Sequence, residues 1–261
     1  MQDLKNIKLF LLDMDGTIYL GSTLFEKVNE TLDVMRAQGK ICFLTNNSSR
    51  SIEDYMVRLT NFGVRVQEGE VYTSGVAAAE YLLEKHGKCK LCAIASESYK
   101  KELLSFGFEI TEDEPDVVLV AFDLNMTYND IYRACKWIRL GKPYYTTHPD
   151  TNCPNDDAPL PDVGSLMEMI ATSTGRYPDL VCGKPNAPIL DGVMKRLNAK
   201  KEETAMVGDR LNTDILFGVK NGITSVCVMT GDTTYEMLEE SQIKPDYVLE
   251  NFAQFMTILK K

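Results

Sequence analysis

The chain is expected to be an α/β protein built on a parallel-rich sheet with helices on both faces. Short apolar runs alternate with stretches of helical spacing along all 261 residues. Runs such as Leu9-Phe10-Leu11-Leu12 are unbroken, as strands buried on both faces are. Several runs also stop abruptly at acidic, amide or glycine-containing turns, and open α/β sheets bind ligands at the carboxyl ends of their strands.

The first strand, 9–12, leads into Asp13-Met14-Asp15-Gly16-Thr17, and residues 19–25 read as a turn around Gly21 and Ser22. Val28, Leu32 and Met35 have helical spacing, and Gly39 stops that helix. A second buried strand, 40–45, ends in Thr45-Asn46-Asn47-Ser48-Ser49. Ser51, with Asp54 three residues on, caps a helix whose apolar side is Ile52, Tyr55, Met56 and Leu59. A helix over 75–85 ends at His86-Gly87.

The alternation continues with strands at 91–95, 117–122 and 144–147 and helices at 98–106, 128–140 and 165–173. A long loop rich in Pro, Asp and Asn covers 148–162, and Gly175 to Pro178 marks a boundary near Arg176. Strand 179–182 then precedes Gly183-Lys184-Pro185, and helix 188–197 precedes strand 204–207. Gly208-Asp209 begins an acidic turn that reaches Asp214. Helix 215–220, strand 225–229, helix 234–240, strand 247–249 and a terminal helix complete the chain.

The formal charge of −10 argues against nucleic acid or an anionic membrane as partner, because phosphate backbones and headgroups are met by clustered Lys and Arg. A phosphorylated substrate would need local positive charge from a metal or a placed lysine. No apolar stretch approaches the ~20 residues of a membrane span, and the N-terminus lacks the basic-then-apolar layout of a signal peptide. A cytoplasmic protein is therefore expected. The seven scattered cysteines read as reduced, buried residues. Cys89-Lys90-Leu91-Cys92 has redox-pair spacing, but in a strand residues three apart point to opposite faces. Only two histidines are present, which rules out a His-rich zinc site.

Four loops carry the chemistry: Asp13 to Thr17, Thr45-Asn46-Asn47, Gly183-Lys184-Pro185 and Gly208-Asp209 to Asp214. Singly, each is an ordinary turn, helix start or solvated lysine. If their strands are parallel neighbours in one sheet, the loops meet at one edge and bring together carboxylates, an ammonium, a hydroxyl and amides. Hard oxygen ligands in that number suit Mg²⁺. Phosphoryl transfer requires such positioning and charge neutralisation. One carboxylate can attack phosphorus while a second moves protons.

Asp13-x-Asp15-Gly16-Thr17, Thr45-Asn46, Gly183-Lys184-Pro185 and Gly208-Asp209-x₄-Asp214 resemble the four motifs of the haloacid dehalogenase-like (HAD) phosphatases. The likeness is closest to the NagD-like group, which carries an α/β cap between the second and third motifs. It implies a Rossmann-like doubly wound core at 1–78 and 179–261, with a cap at 79–178. It also implies a phosphomonoester hydrolase using Mg²⁺ on a small phosphorylated metabolite, such as a sugar phosphate or nucleotide. By the same resemblance, Asp13 is nucleophile and metal ligand, and Asp15 is general acid/base with its backbone carbonyl on the metal. Thr45 with Asn46 holds phosphoryl oxygens, Lys184 neutralises charge, Asp209 completes the metal site and Asp214 supports it.

The sequence departs from the family pattern at Pro161-Asp162-Val163-Gly164, where a glycine-rich turn is usual, and at Asn212, where Asp is frequent. His148 and Asp150 lie in the cap loop, where facing the substrate and a structural role are equally open readings. Exposed apolar residues on cap helices could pair two copies into a homodimer. Two alternatives remain: a receiver-like signalling module that is phosphorylated on Asp, and a relative that cleaves carbon–halogen or carbon–phosphorus bonds. The cap-sized insert and the second acidic loop favour hydrolysis over the receiver. Asp15 counts against a dehalogenase, which has no alkoxide to protonate.

Overall fold

Leu9–Leu12 is buried along its whole length and lies inside a six-stranded sheet. The computed structural model describes residues 3–155 and 157–260. In that sheet the order is Tyr247–Leu249, Thr224–Val228, Thr204–Gly208, Leu9–Leu12, Lys40–Thr45 and Val71–Thr73. The first five strands are parallel to their neighbours. Leu12 pairs with Val207 on one side and Phe43 on the other, so the turns that follow these three strands leave from the same edge. Four buried apolar side chains in this strand, at about 1.5–3 kcal/mol each, strongly favour its central place.

A second sheet has the order Leu180–Val181, Tyr144–Thr146, Val117–Val120, Lys90–Ile94 and Glu109–Ile110, parallel throughout. Its two faces are packed by separate apolar clusters. One is built around Tyr99, Leu119 and Tyr145, and the other around Val118, Trp137 and Ile138.

The chain divides into two compact units. Met1–Thr45, Asp54–Tyr72 and Pro185–Lys261 form one, and Asn46–Glu53 with Thr73–Lys184 form the other. Helix Ser74–His86 runs through position 78 and belongs to the second unit.

One premise of the sequence reading is corrected by the topology. The strand before Gly183-Lys184-Pro185 does not join the sheet of the other three motif strands; Leu180–Val181 is an edge strand of the second sheet. Only two residues long, it is held by register with Tyr145 and Thr146. The sequence reading also missed Val71–Thr73 and Glu109–Ile110, which are too short to show a period. Residues 19–25 form a small hairpin of Tyr19–Leu20 and Thr23–Leu24. Among the described residues, no helix is long and apolar enough to cross a membrane.

Candidate active site

In the first unit the acidic turns converge. Asp13, Asp209 and Asp214 each offer a carboxylate oxygen, and these atoms all lie within 4.8 Å of one another. Parallel register sets this up: the Asp13 N–H donates to Val207 O at 2.9 Å, so Asp13 sits beside the end of Thr204–Gly208. Asp214 arrives by a π-helical turn, Leu211–Ile215, and its Oδ2 accepts the Arg210 N–H at 3.2 Å.

Close backbone approach explains the glycines here. A Cβ on Gly208 would lie 2.3 Å from Asp214 Cγ, and one on Gly16 would lie 2.3 Å from Asp209 Oδ2. Gly16 also has φ of +79°, which other residues rarely adopt. Asp209 is fixed by a hydrogen bond from Thr17 Oγ1 to Oδ1 at 3.3 Å and one from the Asp232 N–H to Oδ2 at 2.8 Å.

The turn after Thr224–Val228 supplies part of this wall, and sequence reasoning did not single it out. Thr230 Oγ1 donates to Gly16 O at 2.6 Å, Thr233 Oγ1 donates to Asp209 O, and Asp232 pairs with Arg210 at 2.7 Å. A Cβ on Gly231 would collide with Asp209 Oδ2 at 1.9 Å. Thr230-Gly231-Asp232 is a strand-end acidic turn of the kind noted elsewhere in this sequence, so the signal was present.

Three clustered carboxylates, two of them buried, repel one another. Burial first, then the charges of Asp13 and Asp214, pushes the Asp209 carboxyl up to about 8. An all-oxygen set of this kind fits a divalent cation, which would remove the repulsion.

A prediction follows for the metal-free protein. The unfolded Asp209 carboxyl releases its proton near the ordinary value of 3.8, whereas the native one holds it until about 8. Native protein binds more protons in that window, so its stability falls as pH rises through it. Thermal denaturation in EDTA from pH 4 to pH 8 should show this fall in the wild type. Asp209→Asn should show a shallower slope, and equal slopes would contradict the account.

The Asp15 side chain stands outside the cluster and accepts the Tyr19 hydroxyl at 3.2 Å. Partial desolvation, and then the Asp13 charge, pushes its carboxyl above the ordinary range, while Arg58 and Tyr19 oppose this. The Arg58 guanidinium lies 5.7 Å from the Tyr19 ring centre. Thr45, at the end of Lys40–Thr45, is buried in this unit.

The second unit carries Asn46 and Lys184, both buried. The Lys184 N–H donates to Asn46 Oδ1 at 2.8 Å, and Asn46 Nδ2 donates to Lys184 O at 2.9 Å. Asn46 Nδ2 also meets both oxygens of Asp150 at 3.2 Å. His148 is fully buried: Nδ1 is 2.9 Å from Thr147 Oγ1, and Nε2 is 2.9 Å from Asp162 Oδ1. Its ring is therefore engaged within the fold on both sides. Cys89 and Cys92 are free, and burial pushes both thiols up to about 11, away from thiolate redox chemistry.

Comparison with known proteins places the chain in a family. The profile described as haloacid dehalogenase-like hydrolase matches residues 10–109, and a HAD-hydrolase-like profile matches 181–255. Acid sugar phosphatase of Staphylococcus haemolyticus is 31% identical over 99% of this chain and 98% of its own length. The 5′-nucleotidase YutF of Bacillus subtilis is 30% identical over 97% of this chain and 99% of its own. The crystal structure of 4-nitrophenylphosphatase from Thermotoga maritima is 42% identical, with a TM-score of 0.96, covering 99% of this chain and 100% of that one. NagD from E. coli K-12 is 28% identical with a TM-score of 0.88, covering 97% and 98%. The chain belongs to the haloacid dehalogenase-like hydrolases, within their NagD-like group of phosphatases.

Proposed function

We propose that this protein is a Mg²⁺-dependent phosphomonoester hydrolase that works through an aspartyl-phosphate on Asp13. The observation that carries the reading is the set of three carboxylates at the carboxyl edge of a parallel sheet. Asp13 attacks phosphorus; the bond to the leaving oxygen breaks as Asp15 delivers its proton there. Asp15 then takes a proton from water, which attacks the same phosphorus and returns Asp13 to its free carboxylate. The raised proton affinity of Asp15 suits the first role. Thr45, with Asn46, holds phosphoryl oxygens, and Lys184 supplies a buried positive charge. Asp13, Asp209 and the backbone carbonyl of Asp15 would hold Mg²⁺, with Asp214 supporting them. That ion supplies charge neutralisation at the phosphoryl oxygens.

The names of the relatives support a sugar phosphate or nucleotide as substrate. Residues 79–178 serve as the cap, and exposed residues such as Leu104 and Tyr132 on its helices offer a face for dimerisation.

Phosphate release should be measured over sugar phosphates, nucleotides and p-nitrophenyl phosphate, with EDTA and with Mg²⁺ restored. Release is expected from at least one of the first two classes, to be abolished by EDTA and regained with Mg²⁺. Full activity in EDTA would refute the metal reading, and no release from any ester would refute the hydrolase.

A further inference from the structure

We propose that Asp150 is a positioning residue for Lys184, acting through the side-chain amide of Asn46. The inference rests on the reading of Lys184 as the ammonium that meets the phosphoryl group.

The Asn46 amide grips the backbone of Lys184 at both ends, receiving its N–H and donating to its carbonyl. An amide gripping in this way has a sense. Flipped, it would set its NH₂ against the Lys184 N–H and its oxygen against the Lys184 carbonyl. Asp150 selects the correct sense, because its carboxylate faces Nδ2 and would repel an oxygen there. The bonded partners Asn46 and Asp150 are 104 residues apart, and Asn46 and Lys184 are 138 apart. The clamp therefore ties together three separate stretches of the second unit.

The surroundings hold each part of the clamp. Gly183 has no room for a side chain: a Cβ would lie 2.6 Å from Asn46 Oδ1 and 2.8 Å from His148 Cβ. Ser74 Oγ donates to Asn46 O. The Gly164 N–H donates to Asp150 O at 2.8 Å, anchoring Asp150 to the start of helix Val163–Thr174. Asp162 caps that helix through the Val163 N–H and also holds His148, so the loop 148–162 that carries Asp150 is tied at both ends. Asp150 is partly exposed, whereas Asn46 and Lys184 are buried. A carboxylate in this place orders the buried amide of Asn46.

The test compares Asp150→Ala and Asp150→Asn, each with and without Lys184→Met, and Asn46→Asp alone, using p-nitrophenyl phosphate and Mg²⁺. Misplacing a catalytic group by an ångström costs up to about 10²-fold. Asp150→Ala is therefore expected to lower kcat by about 10- to 100-fold with KM little changed. Asp150→Asn, which retains an acceptor for Nδ2, should recover most of the loss. Asn46→Asp keeps the shape but sets carboxylate against carboxylate, and should lose kcat as Asp150→Ala does. Once Lys184→Met has removed the charge being positioned, Asp150→Ala should cost no more.

Amide hydrogen exchange at Lys184 reads the clamp directly, and should quicken in Asp150→Ala. If Asp150→Ala lowers kcat by the same factor in both backgrounds, or leaves kcat and Lys184 exchange unchanged, the inference is overturned. Near-normal kcat in Lys184→Met instead overturns the reading of Lys184, while the exchange rates still judge the clamp.

Discussion

Asp13→Asn is expected to lower kcat for p-nitrophenyl phosphate by on the order of 10⁴-fold or more, because it removes the attacking oxyanion. The fold should survive, since the amide is isosteric and the Asp13 backbone bond to Val207 is unaffected. Metal-free Asp13→Asn should in fact be more stable than metal-free wild type. The Asp13 charge is one of those that hold the Asp209 proton affinity up, so its removal relieves repulsion. Steady-state kinetics paired with thermal melting in EDTA checks both halves. Turnover within tenfold of wild type would remove Asp13 from the mechanism. A lower melting temperature would contradict the electrostatics.

Lys184→Met is expected to cost about 10³-fold in kcat/KM, the scale seen when a charge that meets a developing anion is lost. Lys184 is only 1% exposed, so its ammonium acts in a medium where a charge counts for far more than in water. Methionine keeps the length of the stem and removes the charge, leaving the backbone clamp to Asn46 in place. The loss should therefore appear without a loss of folding. Kinetics of the purified variant, with circular dichroism as the control for folding, decides it. A variant that keeps wild-type kcat/KM would show that Lys184 meets no phosphoryl charge.

Leu9–Leu12 could be read from sequence because a strand buried on both faces has no polar positions to blur its pattern. The grouping of Asp13 with Asp209 followed from the same physics, since parallel neighbours end at one edge. Leu180–Val181 could not be assigned to its sheet, because two apolar residues carry no record of their partner. The alternation of strand and helix is the same in both sheets, and it does not say where one sheet stops and the next begins.

His148 was legible as a residue of interest, but its buried bonds to Thr147 and Asp162 depend on a loop packing that leaves no periodic trace. The contribution of Gly231 and Asp232 was overlooked for a different reason. A Thr-Gly-Asp turn is so common that only its contact with Asp209 distinguishes it. Asn46 was noticed as a polar residue at a strand end, and its side chain turns out to hold the backbone of Lys184.

Trapping the covalent intermediate tests the central claim most directly. Protein should be mixed with p-nitrophenyl phosphate and Mg²⁺, quenched in acid within a single turnover, reduced with borohydride and peptide-mapped. The account predicts conversion of Asp13, and of no other carboxylate, to homoserine, rising and falling with the burst of nitrophenol. Phosphate release at the full rate with Asp13 recovered unmodified at every time point would contradict it.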